Sequence, residues 1–243
     1  MKFKGIASSF FPITMILGLS FLSKAHAAQI YWDWWEPFEN NDNWVISSNW
    51  SNNGTFGCTW NAANARNIDG SAMQLSVSTS NEKSYCGEMR TKDRFGYGYY
   101  EINMKVQRKP GIVTGFFAYT GPSYGTSWDE IDIEILGDRY VDGKPVVQFT
   151  YYHDGVKGYE KIYGLPFDPS AEYHKYGFLW AADSIAWYID GREVYRTYGD
   201  VPDKPTFIIL NHWNFIGGGE WAGGYWNYKP NYAWFDYVKF NVQ

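Results

Sequence analysis

The chain has 243 residues, of which 21% are aromatic and 19% charged, and its formal net charge at pH 7 is −5. This composition excludes a disordered, coiled-coil or collagen-like chain, and the acidic balance argues against a nucleic-acid partner. The length is that of one domain.

The N-terminal segment has the pattern of a targeting signal. Residues 1–27 combine two early lysines, an apolar stretch and the small-residue end Ala25, His26, Ala27, which predicts a secretory signal peptide. A membrane anchor is the alternative, and Pro12 weakens it because the apolar stretch is already short. We therefore expect residues 28–243 to form a single secreted domain, extracellular or periplasmic, with no membrane attachment after cleavage.

After residue 27 the chain consists of short runs rich in Tyr, Phe, Val, Ile and Trp, which predict an all-β protein. Strands are expected at 73–78, 97–107, 112–120, 129–136, 146–153, 173–180, 184–189, 206–213 and 232–242. Asp-Gly pairs at 69–70, 142–143, 154–155 and 190–191 predict hairpin turns, because such turns need residues that tolerate positive φ. Two packed antiparallel sheets are the economical arrangement, and a closed barrel is the alternative that periodicity leaves open.

The two cysteines, Cys58 and Cys86, predict one disulfide in an oxidising compartment. Two buried free cysteines are the alternative. Two thiols are too few for a structural zinc site.

The most informative strand carries three acidic residues. Side chains alternate along a strand, so Glu130, Asp132 and Glu134 share one face, and the isoleucines between them belong in the core. An ordinary solvated face and a hard-cation site are alternatives. The cation site is weakened because the outer Cα atoms of such a set are about 13 Å apart.

Two glutamates of this set could instead act as a catalytic pair. If their side chains lean together, the carboxyl groups approach to about 6 Å, close to the roughly 5–5.5 Å of retaining glycosidases. The many aromatic residues fit this interpretation, because sugar sites combine aromatic platforms with polar side chains. A carbohydrate-binding lectin is the alternative outside the enzymes, and spacing alone does not assign the two glutamates their roles.

Residues 128–137 closely resemble the active-site strand of family sixteen glycoside hydrolases, particularly bacterial lichenases, the endo-β-1,3-1,4-glucanases. Further matching stretches lie at 36–38, 56–60, 86–90, 95–101, 116–122, 187–191 and 235–239. The resemblance implies a jelly-roll sandwich of the concanavalin-like type with a concave substrate cleft. It implies a catalytic domain over residues 28–243, a β-glucan polysaccharide as partner, no required cofactor, and a monomer by default.

The resemblance also implies a role for each acidic residue. Glu130 is the expected nucleophile, Glu134 the acid/base and Asp132 their helper, in retaining hydrolysis of β-1,4 bonds of mixed-linkage β-1,3-1,4-glucan such as lichenan or cereal β-glucan. It further implies the disulfide between Cys58 and Cys86. The substrate contacts that it implies are Asn52, Glu88, Arg90, Phe117, Tyr119, Trp128, Tyr152, Asn211 and Trp213. A structural calcium ion is expected at Asp236 and the backbone oxygens near Pro37 and Gly70.

Some features of the sequence bear on which glycan is cut. The acidic strand lacks the extra residue that laminarinase-like members insert before the second glutamate, which argues against laminarin. Thr150 and His212 depart from the lichenase pattern, and the segments 138–144 and 215–225 could reshape the cleft. Another β-glycan, such as a bacterial exopolysaccharide, xyloglucan or β-1,3-glucan, is therefore the alternative substrate.

Overall fold

The structure is a computed structural model that describes residues 34–242, so the predicted signal peptide lies outside it. This range contains sixteen strands and two three-residue 3₁₀ turns, at Ala62–Asn64 and Pro122–Tyr124. The strands are β1 (Trp34–Glu36), β2 (Trp44–Ile46), β3 (Thr59–Trp60), β4 (Ala65–Ile68), β5 (Ala72–Ser80), β6 (Lys83–Thr91), β7 (Gly98–Val106), β8 (Ile112–Thr120), β9 (Asp129–Val141), β10 (Lys144–His153), β11 (Val156–Gly164), β12 (His174–Ala181), β13 (Ser184–Ile189), β14 (Arg192–Tyr198), β15 (Phe207–Asn214) and β16 (Asn231–Val242). Neither of the short helical turns approaches the length of a membrane span.

The strands form two layers, as expected for a jelly-roll sandwich, and all pairings are antiparallel except that of β3 with β6. One layer, here called the cleft layer, has the order β11-β10-β9-β8-β15-β6, and the other, the outer layer, has the order β6-β5-β16-β7-β12-β13-β14. The short strands pair along the sides of these layers, β1 with β16, β2 and β3 with β6, and β4 with β5. Over residues 34–242 the order of paired strands begins at β11 and ends at β14, and these two edge strands do not pair with each other. The alternative of a closed barrel is therefore wrong.

Strand β6 belongs to both layers and forms the corner between them. Its first half pairs with β5 up to Cys86, and its second half pairs with β15 from Gly87 to Arg90. A Cβ atom on Gly87 would lie 2.3 Å from the carbonyl oxygen of Asn64, which only glycine avoids. The corner therefore depends on this residue, and it places the second half of β6 beside the cleft.

The core fills the space between the two layers. Ile131, Ile133 and Ile135 are buried there with aromatic residues such as Phe149 and Trp187. The alternation predicted for the acidic strand is thus confirmed on its apolar face. A second buried cluster surrounds the disulfide between Cys58 and Cys86, so the predicted disulfide is confirmed and the alternative of two free cysteines is wrong.

All nine predicted strands are present within one or two residues of their N-terminal ends. The four Asp-Gly pairs have positive φ at both residues and connect neighbouring strands. Seven strands were not predicted: β1 to β4, β6, β11 and β14. Most of these are short or carry many polar residues, and β6 and β11 border the cleft.

Candidate active site

The acidic face of β9 lies at the bottom of an open cleft. Glu130, Asp132 and Glu134 line two adjoining cavities of about 640 and 480 Å³, while the isoleucines between them point into the core. One strand therefore supplies the whole acidic set, because its pleat sends alternate side chains to opposite faces.

Neighbouring strands set the surroundings of each acidic residue through the register of the ladder. Asp132 lies between Phe117 of β8 and Thr150 of β10. Glu130 lies between Tyr119 of β8 and Tyr152 of β10. Glu134 lies between Gly115 of β8 and Gln148 of β10. The absence of a side chain at Gly115 leaves room for Asn211 of β15, because a Cβ there would lie 2.5 Å from the side-chain oxygen of Asn211.

All nine predicted substrate contacts line this cleft. The larger cavity is lined by Asn52, Glu88, Arg90, Phe117, Tyr119, Trp128, Asn211 and Trp213, and the smaller one by Trp128, Tyr152 and Trp213. The fold brings these residues together from four strands, β6, β8, β10 and β15, and from the loops at 50–56 and 127–128. Their roles in binding stay predictions.

Burial dominates the electrostatics of the three acidic residues. Loss of hydration raises the pKa of Glu130, Asp132 and Glu134 above the ordinary carboxyl range, because a charged group is disfavoured away from water. For Glu130, hydrogen bonds from Trp128 and Asp132 lower the pKa again. For Glu134, the negative charges of Glu130 and Glu160 raise the pKa further, and Lys157 opposes them.

Glu88, on the second half of β6, is a further carboxyl group of the cleft, and it is buried. Burial raises its pKa to about 7, although hydrogen bonds from Ser47 and Asn211 and the charge of Arg90 act in the opposite direction. The Ser47 hydroxyl donates to it over 2.7 Å. This carboxyl can accept or donate hydrogen bonds near neutral pH, as a sugar hydroxyl group requires of its partner.

Several cleft residues were missed by the sequence analysis. Trp221 of the glycine-rich loop donates its Nε1–H to Oε1 of Gln148 over 2.8 Å, and the amide nitrogen of Gln148 lies 3.4 Å from Oε2 of Glu134. Lys157 and Glu160 of β11 line the same cavity. Alternation along β10 could have identified Gln148, because it shares a face with Thr150 and Tyr152.

The structure separates the two departures from the lichenase pattern. Thr150 is in the cleft, next to Asp132. His212 is fully buried on the other face of β15, with its ring nitrogens 2.8 Å from Thr114 Oγ1 and 2.9 Å from Asn231 Oδ1. Burial lowers its pKa to about 4 despite the Asn231 contact, so the ring is neutral. His212 does not line the cleft, so of the two departures only Thr150 lies beside the acidic residues.

The predicted calcium ligands lie on the outer layer. Asp236 occupies a bulge of β16, where Asn103 donates to its Oδ2 over 2.9 Å. Pro37 directly follows β1, which pairs with β16 at Glu36, and Gly70 lies against the backbone of Glu39. A carboxylate and backbone carbonyls are oxygen ligands of the kind that Ca²⁺ takes, so the donor chemistry of this set fits the ion, and the calcium site itself stays a prediction.

A different group of side chains has metal-ligating geometry. Within residues 34–242, one cluster of three or more suitable side chains was found, formed by Asp129, His153 and Asp203. Lys204 already neutralises it, with its Nζ 2.8 Å from Asp203 and 3.5 Å from Asp129. Backbone N–H groups of Asp154 and Asp203 donate to Asp129, so this cluster holds loops together.

Two half-buried glutamates and a buried aspartate lie at the bottom of an aromatic cleft in a two-layer β sandwich, an arrangement that fits a glycoside hydrolase. Residues 52–239 match the profile described as Glycosyl hydrolases family 16. The chain belongs to this family.

Relatives with similarity over nearly the whole chain agree with this assignment. A protein named Beta-glucanase from Paenibacillus polymyxa is 42% identical over 94% of this chain and 94% of its own. The structure of Bacillus licheniformis beta-glucanase superposes with a TM-score of 0.82 at 41% identity, covering 87% of this chain and 99% of that one. A prokaryotic beta-1,3-1,4-glucanase (lichenase) from a mouse hindgut metagenome gives a TM-score of 0.81 at 42% identity, covering 88% and 100%.

Proposed function

We propose that this glycoside hydrolase is a retaining endo-β-glucanase that cuts β-1,4 bonds in mixed-linkage β-1,3-1,4-glucan. The observation that carries the proposal is the set Glu130, Asp132 and Glu134 on one strand at the bottom of an open cleft. The relatives named as beta-glucanases and as a lichenase support the substrate.

The reaction has two steps. First, the carboxylate of Glu130 attacks the anomeric carbon and forms a glycosyl ester, while the carboxyl of Glu134 gives its proton to the leaving oxygen. The Glu134 carboxylate then takes a proton from water, and the water oxygen displaces Glu130 from the sugar. Two displacements at one carbon return the anomeric configuration of the substrate.

The surroundings of the two glutamates support these roles. The nucleophile must be ionised, and Trp128 Nε1 donates to Glu130 over 2.5 Å, which favours the charged form. The acid must hold a proton, and the negative charges of Glu130 and Glu160 raise the pKa of Glu134 in addition to burial. Once Glu130 is an ester it is neutral, so the pKa of Glu134 falls and its carboxylate can act as base.

The shape and lining of the cleft support action within long chains. The two cavities extend on both sides of β9, over β8 and β15 in one direction and over β10 and β11 in the other. Trp128 and Tyr152 stack at 4.3 Å beside Glu130. Aromatic faces of this kind pack on the apolar CH faces of sugars.

The proposal extends to the setting of the enzyme. Residues 1–27 are a signal peptide and residues 28–243 one secreted catalytic domain, which acts as a monomer without an organic cofactor. A calcium ion at Asp236, with the backbone oxygens near Pro37 and Gly70, would stabilise the outer layer and take no part in the chemistry.

The test is reducing-sugar release on barley β-glucan, lichenan, laminarin, xyloglucan and carboxymethylcellulose. We expect release from the first two alone, and its near-complete loss in Glu130→Gln and in Glu134→Gln, with glucan binding and the melting temperature retained. Release from xyloglucan instead would show that the enzyme cuts another β-glycan and not mixed-linkage β-glucan. Binding without release in the parent would indicate a lectin.

The roles have their own test. Proton NMR of the first product should show the β anomer for the parent enzyme. Azide should restore turnover to Glu130→Ala and give the α-glycosyl azide, because the acid Glu134 is still present while azide replaces the nucleophile. Rescue of Glu134→Ala with an α product would reverse the assignment.

A further inference from the structure

The two segments that the sequence analysis singled out, 138–144 and 215–225, lie against each other at the end of the catalytic strand. A Cβ on Gly223 would lie 2.2 Å from the carbonyl carbon of Asp138, and one on Gly137 would lie 2.6 Å from the carbonyl oxygen of Ala222. Gly223 and Gly137 both have positive φ. Because these glycines lack side chains, the two backbones touch and hold each other in place.

These segments border an open surface pocket of about 720 Å³, here called the distal pocket. It is lined by Asp138, Arg139, Tyr140, Val141, Gly219, Glu220, Trp221, Gly223 and Gly224. Trp221 also lines the smaller catalytic cavity, so one indole ring separates the distal pocket from the cleft. Its hydrogen bond to Gln148 and its packing on Phe215, with ring centroids 4.7 Å apart, fix the position of this ring.

Tyr140 forms an aromatic platform in the distal pocket. The Arg108 guanidinium lies 4.6 Å from the centroid of its ring, and 51% of Tyr140 remains exposed. Arg108 is itself 7% exposed, and it donates to Asp138 over 2.9 Å and to the carbonyl of Gly137 over 3.0 Å. The ring is thus supported from one side by a buried, fixed cation.

The polar groups around this platform indicate a neutral, hydroxyl-rich ligand. Arg139 supplies donors, while Glu220 and Asp138 supply acceptors. The Arg108 guanidinium, which pairs with Asp138, and Arg139 balance the two carboxylates, so the pocket has no excess charge that would select an ionic ligand. Sugar hydroxyl groups both donate and accept, and the CH face of a pyranose ring packs on an aromatic ring.

We propose that the distal pocket binds a glucosyl residue of the β-glucan chain, beyond those residues that occupy the catalytic cleft. This inference rests on the proposed function for the substrate. Tyr140 binds the face of the sugar, and Arg139 and Glu220 bind its hydroxyl groups. A chain long enough to pass Trp221 then gains contacts that a short chain cannot reach.

The test measures affinity against chain length. Mixed-linkage oligosaccharides of increasing length are titrated calorimetrically into Glu130→Gln, with and without Tyr140→Ala. We expect the affinity of the parent to rise once the chain passes Trp221, and Tyr140→Ala to lose about fivefold for long chains, as for one aromatic contact, with no change for short ones. Glu220→Gln should act in the same direction and more weakly.

Tyr198→Ala is the matched control. Tyr198 is 72% exposed and also stacks near a guanidinium, that of Arg196 at 5.9 Å, but it lines neither the cleft nor the distal pocket. It should leave the affinities unchanged. Melting temperatures of all variants check that the fold is retained.

Three outcomes overturn the inference. They are an equal loss for short and long chains, no loss in Tyr140→Ala, and a second independent site for short chains. Each of these leaves the proposed function intact if the wild-type enzyme still releases reducing sugar from β-glucan. Absence of both binding and hydrolysis would instead overturn the proposed function, and the inference with it.

Discussion

Trp128 distinguishes two glutamates that are otherwise alike. Its Nε1–H donates to Oε2 of Glu130 over 2.5 Å, whereas the nearest amide of Gln148 lies 3.4 Å from Oε2 of Glu134. A donor to a carboxylate favours the charged form. One indole nitrogen therefore helps to keep Glu130 ionised in a site where burial raises the pKa of Glu130, Asp132 and Glu134.

Removing this nitrogen should shift the acid limb of the pH profile. In Trp128→Phe the aromatic face that stacks on Tyr152 is largely kept, but the donor to Glu130 is lost, so the pKa of Glu130 rises. Because the nucleophile must be ionised, the acid limb of kcat/KM should move to higher pH by roughly one unit. The measurement is kcat/KM on a soluble β-glucan across the pH range.

The control is Trp35→Phe, since Trp35 lies on the outer layer against Tyr237. It should leave both limbs of the profile unchanged. A uniform fall of kcat/KM in Trp128→Phe, with the acid limb in place, would mean that Trp128 acts on substrate binding alone.

At the scale of elements, a bulge in β11 determines which residues face the acid. Residues three apart on a regular strand face opposite sides, yet Lys157 pairs with Tyr152 and Glu160 with Thr150, both of which face the cleft. The extra residue is absorbed beside Gly158, where a Cβ would lie 2.1 Å from the ring of Tyr151. Lys157 and Glu160 therefore both enter the cleft, where they form an ion pair.

This pair should act on Glu134 with opposite signs. The Lys157 ammonium lowers the pKa of Glu134, and the Glu160 carboxylate raises it. The acid must be protonated, so Lys157→Met should move the alkaline limb of kcat/KM to higher pH and Glu160→Gln to lower pH. Each shift should be roughly half a unit, because both side chains are partly exposed and screened.

The double variant Lys157→Met with Glu160→Gln should bring the alkaline limb back near that of the parent. Glu130, Asp132 and Tyr152 also face Glu134 and are unchanged in all three variants. Lys157→Arg should retain the parent profile, and high salt should reduce each shift. Shifts of the same sign in both single variants would contradict this account.

A strand can be predicted from the sequence when one of its faces lies in the core and the other lies outside it along the whole length of the strand. Strand β9 is of this kind, with core on one side and cleft on the other, so its period of two is unbroken. Strand β6 changes layer at Gly87, and this reverses the environment of each face halfway along. Its alternation therefore gives no strand signal, although it carries Glu88 and Arg90.

The candidate site was likewise predictable only where the alternation of the strands is regular or where the family resemblance covers it. The acidic set followed from alternation, and its individual roles and the aromatic contacts came from the family resemblance. Segment 215–225 was expected to reshape the cleft, but the contact of its Trp221 with Gln148 was missed, because it depends on the path of a glycine-rich loop that has no periodicity. Lys157 and Glu160 were missed because a bulge in β11 interrupts the alternation of side chains from which strands are predicted.

At the scale of the whole molecule, one covalent bond connects the cleft rim to the corner of the sandwich. The disulfide joins Cys86, in the half of β6 on the outer layer, to Cys58, which follows the loop at 50–56. That loop contributes Asn52 and Phe56 to the cleft. Phe56 stacks on Trp213 at 3.9 Å, so the disulfide holds the rim loop against the cleft layer.

Removing the disulfide should lower stability much more than it changes the chemistry. The closed loop has a sequence separation of 28 residues, and restoring its freedom in the unfolded chain should cost about 3 to 4 kcal/mol of unfolding free energy. The melting temperature should then fall by roughly 10 °C. The double variant Cys58→Ala with Cys86→Ala is the appropriate change, because alanine leaves no unpaired polar atom in the buried cluster.

Chemical denaturation and calorimetry measure the loss, and treatment of the parent with a reducing agent should reproduce it. Well below the new melting temperature, kcat should stay within about twofold of the parent, because Glu130 and Glu134 are held by β9 and not by the disulfide. KM should rise, since the rim loop with Asn52 and Phe56 is less firmly held and must be ordered on binding. Unchanged stability would show that the buried contacts of Trp60 and Trp213 fix the corner alone, and a selective fall in kcat would show that the corner positions the catalytic strand.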